Sequence, residues 1–290
     1  MKKYHGVFPA LYPCYDSQGR IAPQALRRLA RWLMQSGVSG LYLNSPAGNN
    51  TLLTVREKIE IMENVMAEAE GRILVLCEVS CENIEDTLEL CRHAAACGAD
   101  AAVSHPCGGQ EDALSFWRTV ADMAAEADTI FCDVPFPKTD PEKERFLRFA
   151  KDTRLRGVIP VRSELASIGA WRALLPENVS IFTSEEKTLS DAIALGADAL
   201  AGAYCTAAPT LAVRLESSLR YVGAHRAVSD QADMAKICGL LESCEMPLEA
   251  ARAMLRCASG LEIGTRRPSL SEEDLAHVCD ACAVVKGSGL

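Results

Sequence analysis

The stretch Cys97-Gly-Ala-Asp-Ala-Ala-Val-Ser104 passes from one kind of structure to another. Its glycine can take the left-handed conformation that closes a helix, and the short apolar run after it reads as a strand. The same joint recurs. Ser36-Gly-Val-Ser-Gly40 leads into Leu41-Tyr-Leu-Asn44, and Leu195-Gly-Ala-Asp198 leads into Ala199-Leu-Ala-Gly202. A repeated helix-to-strand joint is what a succession of βα units requires.

Working outward from these joints, apolar runs alternate with amphipathic stretches over the first three quarters of the chain. They predict strands near 6–12, 39–44, 72–79, 99–104, 128–133, 156–161, 178–183 and 198–203. Helices are predicted between them, among them Pro23–Gln35, Val55–Glu70 and Ile84–Ala96. Eight such units in roughly 220 residues fit a closed (β/α)8 TIM barrel better than an open sheet. The reading is therefore an α/β barrel over 1–225. A C-terminal helical extension over 226–290, with three helices between Val228 and Val285, is expected to pack on it.

Composition narrows the class. The chain has 290 residues, 49% hydrophobic and 24% charged, enough to bury a large core without staples. No apolar run is long enough for a membrane span and the N-terminus turns polar too early for a signal peptide, so a cytoplasmic protein is expected. A net charge of −9 with few aromatic residues and no basic stripe argues against nucleic acid and anionic membranes as partners. The thirteen cysteines are scattered and often sit in apolar surroundings, which in a reducing compartment makes them small core residues. Cys279-Asp-Ala-Cys282 is a CxxC without a second pair at zinc spacing. No sequence motif calls for a cofactor or a metal.

Barrels of this kind carry their working groups at the C-terminal ends of the strands. That rule selects Asn44-Ser-Pro-Ala-Gly-Asn49, Glu78-Val-Ser-Cys81, His105-Pro-Cys107, Cys132-Asp-Val-Pro135, Pro160-Val-Arg-Ser-Glu164, Ser184-Glu-Glu-Lys187 and Tyr204-Cys-Thr206.

The order of several short words resembles the dihydrodipicolinate synthase and N-acetylneuraminate lyase family over the whole length. They are Gly6-Val-Phe-Pro-Ala-Leu11 with Asp16-Ser-Gln-Gly19, Gly40-Leu-Tyr-Leu43 through Gly48 to Leu53-Thr54, Cys97-Gly-Ala-Asp100, Asp133-Val-Pro135, Gly196-Ala-Asp198 and Arg267-Pro-Ser-Leu-Ser271. The resemblance implies a pyruvate-type aldolase or lyase. In that family a lysine near the end of strand six forms a Schiff base, a tyrosine of strand five relays protons, and a Gly-Thr/Ser-Thr-Gly loop after strand two holds the carboxylate. It also implies a homo-oligomer, tetramer or dimer. Here the lysine position falls on Pro160 or, anchored on Gly157, on Ile159, and the tyrosine position falls on Cys132. The carboxylate loop reads Ser45-Pro-Ala-Gly-Asn49, with only Gly48 kept, and no lysine occurs between Lys151 and Lys187.

Other groups offer chemistry in their place. Glu78 is expected to point into the mouth, with Arg162 either binding a carboxylate or phosphate there or pairing with Glu78. Glu185 and Glu186 read as helix-start acids or, with Glu78, His105 and Asp133, as an oxygen-rich cradle for Mg²⁺ or Mn²⁺. Cys132 is either a thiol nucleophile with His105 as base or a small filler. Of the lysines, Lys138 and Lys187 are placed on the catalytic face. The leading expectation is a barrel binding a small anionic metabolite, a 2-oxo or sugar acid, through Ser45, Gly48, Asn49, Glu78, His105, Cys132, Arg162 and Glu185, without the Schiff base. An active lyase using a displaced lysine or a metal, and a non-catalytic subunit of an active paralogue, are the alternatives.

Overall fold

A computed structural model describes residues 3–106, 113–124, 127–161, 165–222 and 224–289. The strands are β1 (Gly6–Val7), β2 (Gly40–Leu43), β3 (Leu74–Glu78), β4 (Ala101–Ser104), β5 (Asp128–Val134), β6 (Leu155–Pro160), β7 (Ser180–Thr183) and β8 (Ala199–Leu200). From β2 to β8 each pairs in parallel with the next, and β8 pairs with β1, Gly6 opposite Ala199. The ring closes where Tyr42 N donates to Pro9 O at 3.0 Å and Leu11 N donates to Tyr42 O at 2.9 Å. The (β/α)8 barrel expected from the joints is thus the architecture.

The helices are α1 (Pro23–Gln35), α2 (Val55–Ala69), α3 (Ile84–Ala96), α4 (Ala113–Met123), α5 (Asp140–Asp152), α6 (Ser167–Leu174), α7 (Leu189–Ala194), α8 (Pro209–Ser217), α9 (Ala224–Glu242), α10 (Pro247–Ser259) and α11 (Glu272–Gly287). At the three repeated joints Gly37, Gly98 and Gly196 have φ of 82°, 80° and 107°, a conformation that a side chain would strain. Helix α2 starts on a reciprocal cap: Glu57 N donates to Thr54 Oγ1, and Thr54 N donates to the Glu57 carboxylate at 2.9 Å.

Strand alternation divides the core in two. Phe8, Tyr42, Leu76, Val103, Ile130, Ile159 and Phe182 fill the barrel interior, with Phe8 and Phe182 edge to face at 5.6 Å. Leu41, Val75, Phe131, Val158 and Ile181 belong to the larger layer between strands and helices. Each such fully buried side chain contributes about 1.5–3 kcal/mol. Two irregularities interrupt the β5–β6 pairing. Thr129 lies opposite Leu155 but Ile130 lies opposite Gly157, so Arg156 is an extra residue in β6. Cys132 lies opposite Ile159 but Val134 lies opposite Pro160, so Asp133, at φ 55°, is an extra residue in β5.

Helices α9 to α11 rest on the same end of the barrel that carries the strand termini. From α9, the Gln231 amide donates to Glu186 O at 3.0 Å and Lys187 O at 2.9 Å. From α10, the buried Arg252 donates to Pro13 O at 2.9 Å and covers the Tyr15 ring at 5.5 Å. Arg266, beyond α10, lies over the other part of that ring at 4.4 Å and pairs with Glu57. Among the described residues no helix is long and apolar enough to cross a membrane, and the described cysteines are free thiols.

Candidate functional site

One quadrant of the barrel mouth, at the ends of β2, β3 and β4, is polar and closely connected. Glu78, the last residue of β3, is fully buried and accepts from the Tyr42 hydroxyl at 2.6 Å and from Ser80 N at 3.2 Å. Nδ1 of His105, just past β4, lies 3.2 Å from Glu78 Oε1, the oxygen that Ser80 N also reaches, while His105 N donates to Ser80 Oγ at 2.9 Å. Burial alone raises a carboxyl, but the charge on His105 and the hydrogen bonds from His105, Ser80 and Tyr42 outweigh it and hold Glu78 below the usual range. Burial and the neighbouring Glu78 push the Tyr42 phenol well up, so it remains a donor at neutral pH.

The adjoining sector, at the ends of β5 and β6, is apolar. Ile159 faces the barrel interior with Ile130 and Phe182, and Cys132 packs against the same cluster. Pro160, one residue on, shares the helix-facing side with Val158 by alternation and borders a crevice with Val161, Leu165, Ile168 and Glu185. Of the two positions left open by the sequence, Ile159 is therefore the inward one. Burial pushes the Cys132 thiol well up, and Glu78 and Asp133 push it further. A thiol so placed stays protonated, which favours the filler over the nucleophile.

The remaining sequence-selected residues are dispersed. Ser45 is buried and its Oγ accepts from Gly48 N at 3.1 Å, which makes the loop after β2 a tight turn. A Cβ on Gly48 would come within 2.9 Å of Leu11 O, so only glycine fits. Asn49 follows in the left-handed region at φ 67°. Glu185 borders the crevice beside Pro160. Glu186 is buried, and its carboxylate accepts from Tyr204 N at 2.8 Å and Cys205 N at 3.2 Å. A Cβ on Gly202 would overlap that carboxylate at 2.0 Å, so Glu186, the first residue of the short helical turn after β7, also braces that turn against the segment after β8. Asp133 and Lys138 are exposed, and Lys187 is paired with Glu242, which raises its pKa. Arg162, and with it the pairing expected with Glu78, lies outside the described residues; His105 is the described charged neighbour of Glu78.

Two members of the polar quadrant escaped sequence reasoning. Tyr42 was legible only as part of an apolar run, although alternation along β2 from Gly40 would have placed it inward. Lys58, on the first turn of α2, is buried, and its Nζ donates to Ser80 O at 3.2 Å and approaches Cys81 Sγ at 3.5 Å. Asn44, itself buried, donates to Lys58 O at 3.1 Å and ties that turn to the end of β2. No local signal marks Lys58: it sits in the charged run Arg56-Glu-Lys58 that reads as a solvated face.

The model of the dihydrodipicolinate synthetase family matches residues 3–275. The chain belongs to that family. An N-acetylneuraminate lyase of Mediterraneibacter gnavus is 27% identical over 98% of the chain and 93% of its own length. A 4-hydroxy-tetrahydrodipicolinate synthase of Acidithiobacillus ferrooxidans is 26% identical over 73% of the chain and 74% of its own length. Among solved structures, wild-type Ruminococcus gnavus sialic acid aldolase superposes with a TM-score of 0.91 at 26% identity, covering 99% of both chains. Membership in the dihydrodipicolinate synthetase family points to an aldolase-type lyase, and the N-acetylneuraminate lyase likeness runs through barrel and extension alike.

Proposed function

We propose that this dihydrodipicolinate synthetase family member binds a small 2-oxo or sugar acid in the barrel mouth without forming the family's Schiff base. The observation that carries the reading is the inward position of Ile159, an aliphatic side chain in an apolar quadrant where the resemblance puts the reactive lysine. An alkyl group cannot form an imine, and desolvation pushes the pKa of the neighbouring half-buried Cys132 thiol well up. In this reading Ser45, Gly48 and Asn49 cradle the ligand carboxylate, as the loop after strand two does in the family. Arg162, on the sequence argument alone, adds a bidentate cation. Glu78 and His105 address hydroxyl or amide groups, with Cys132 and Glu185 at the border. The full-length likeness to an N-acetylneuraminate lyase makes N-acetylneuraminate and related 2-oxo acids the ligands of first choice. A cytoplasmic homo-oligomer, tetramer or dimer, is the setting that the resemblance supplies.

A second reading is favoured by one observation. Lys58 places a buried amine beside the polar quadrant, so a lyase with a relocated lysine is its direct competitor. Intact mass after incubation with pyruvate and borohydride separates the two, run on the wild-type chain and on Lys58→Ala. We expect no adduct on either, and a thermal midpoint that rises with N-acetylneuraminate or pyruvate. A wild-type adduct that disappears in Lys58→Ala would replace the binding reading with the second one. A midpoint that no 2-oxo acid moves would remove the binding reading.

A further inference from the structure

The C-terminal extension contains a cluster of ligating side chains distant in sequence from one another. Cys244 lies just beyond the end of α9, and Asp274 and His277 lie one turn apart on the first half of α11, hence on one face of that helix. Their ligating atoms all fall within 4.8 Å of one another, with Cys244 Sγ 3.9 Å from His277 Nδ1. A tetrahedral Zn²⁺ with bonds of ~2.3 Å to sulfur and ~2.0 Å to nitrogen needs these two atoms about 3.5 Å apart. For this pair the difference is a few tenths of an ångström, and a carboxylate oxygen of Asp274 lies within 4.8 Å of both atoms.

A second observation at the same place points to an ion. Asp274 is only 5% exposed; its Oδ1 accepts from Glu245 N at 3.2 Å, but Oδ2 is buried without a hydrogen-bond partner among the described residues. An unpaired buried carboxylate oxygen costs several kcal/mol in an apolar setting, and a cation is the usual remedy. We infer that Cys244, Asp274 and His277 bind a divalent transition-metal ion, Zn²⁺ by preference, which fastens the start of α11 to the turn between α9 and α10. One thiolate, one imidazole and one carboxylate form a mixed donor set that suits zinc better than magnesium or calcium. His277 is half-buried and gives the ion a path to solvent, where water takes the fourth position.

The chemistry of loading follows from the metal-free state. In the metal-free chain Cys244 is a free, buried thiol. Binding breaks the S–H bond and forms the metal–sulfur bond, releasing one proton to solvent with no change of oxidation state. Ser243 Oγ, 3.1 Å from His277 Nδ1, already donates to Leu240 O at 2.7 Å. Its proton being committed there, Ser243 Oγ accepts from Nδ1–H; if Nδ1 ligates, that proton is lost from Nδ1 as the other tautomer, protonated at Nε2, forms, and the ring turns so that the freed lone pair faces the ion. The sequence gives no sign of this site, because Cys244 and Asp274 are 30 residues apart and match no ligand spacing. The CxxC that does stand out, Cys279 to Cys282, lies further along α11 and is not part of the cluster.

The test is a cobalt(II) titration of the full-length, metal-stripped chain, followed by absorption. One equivalent is expected to give thiolate-to-cobalt charge transfer in the near ultraviolet and the intense visible bands of a tetrahedral ion. Cys244→Ser should lose the charge transfer and Cys279→Ser should keep it. His277→Gln, at a half-exposed position that leaves the fold intact, should weaken cobalt binding at least about tenfold. Zinc should raise the thermal midpoint of the wild-type chain and not that of His277→Gln. Absence of a thiolate band at one equivalent, or a band that persists in Cys244→Ser, overturns the assignment.

Discussion

The two halves of the barrel mouth differ in kind. Across β2, β3 and β4, Tyr42, Glu78, Ser80, His105 and Lys58 form a continuous chain of hydrogen bonds and close charges. Across β5 and β6, Ile130, Cys132, Ile159 and Phe182 form an apolar wall. A carboxylate can be kept ionised in a protein interior only where donors surround it, and an amine placed against the wall would have none. Polar recognition therefore belongs to the first half, and the wall offers shape and exclusion of water. In the resembling family the lysine and tyrosine come from strands six and five, the sector that is apolar in this mouth.

The comparison breaks first at Glu78. Replacing it with alanine removes the partner of Tyr42 and leaves His105 beside an apolar gap, which is expected to cost about 3–5 kcal/mol, read as a lowered thermal midpoint. Acid should act on the same bond. Glu78 is depressed in the folded chain, so its contribution is present above the ordinary glutamate value of 4.5 and lost as pH falls through the folded pKa. The acid side of a stability–pH curve should flatten in Glu78→Gln; an unchanged curve would mean that the His105 contact contributes nothing.

A lysine introduced into the wall sharpens the comparison. Ile159→Lys is expected to be destabilised by roughly 2–4 kcal/mol, with an amine whose pKa is lowered by burial. It should also gain a pyruvate adduct that borohydride traps. Pro160→Lys, on the helix-facing side, should give none. Equal trapping by both variants would show that the facing assigned to β6 is wrong. The smallest effect is expected from Cys132→Ala, about 1–2 kcal/mol from the lost packing. If Cys132 were instead an ionised thiol, iodoacetamide would modify it rapidly at neutral pH in the native chain, whereas its raised pKa calls for slow reaction.

Much of the fold was readable because its signals are local. A left-handed glycine after a helix and a short apolar run are properties of neighbouring residues, and Gly98 and Gly196 carry them in the structure as in the sequence. Glu78 was readable as a strand-end residue for the same reason. Its partners were not. Tyr42 lies 36 residues away and meets Glu78 only through the parallel pairing of β2 with β3. Lys58 reads as part of a charged helical face, and only the seating of α2 against the end of β3 buries it. Similarly, Glu186 reads as a helix-start acid, and only the segment after β8 brings it the amides of Tyr204 and Cys205.

The sequence alone thus determined the barrel, its order of units and the strand ends at which to look, since each rests on short-range backbone preferences and on the period of apolar residues. The tertiary structure decided which side chains meet. Alternation along β6 turns Ile159 inward beside Cys132 and Pro160 outward, and the packing of α11 on the α9–α10 turn brings Asp274 and His277 to Cys244. Register and helix packing are cooperative, long-range outcomes, and no window of the chain contains them.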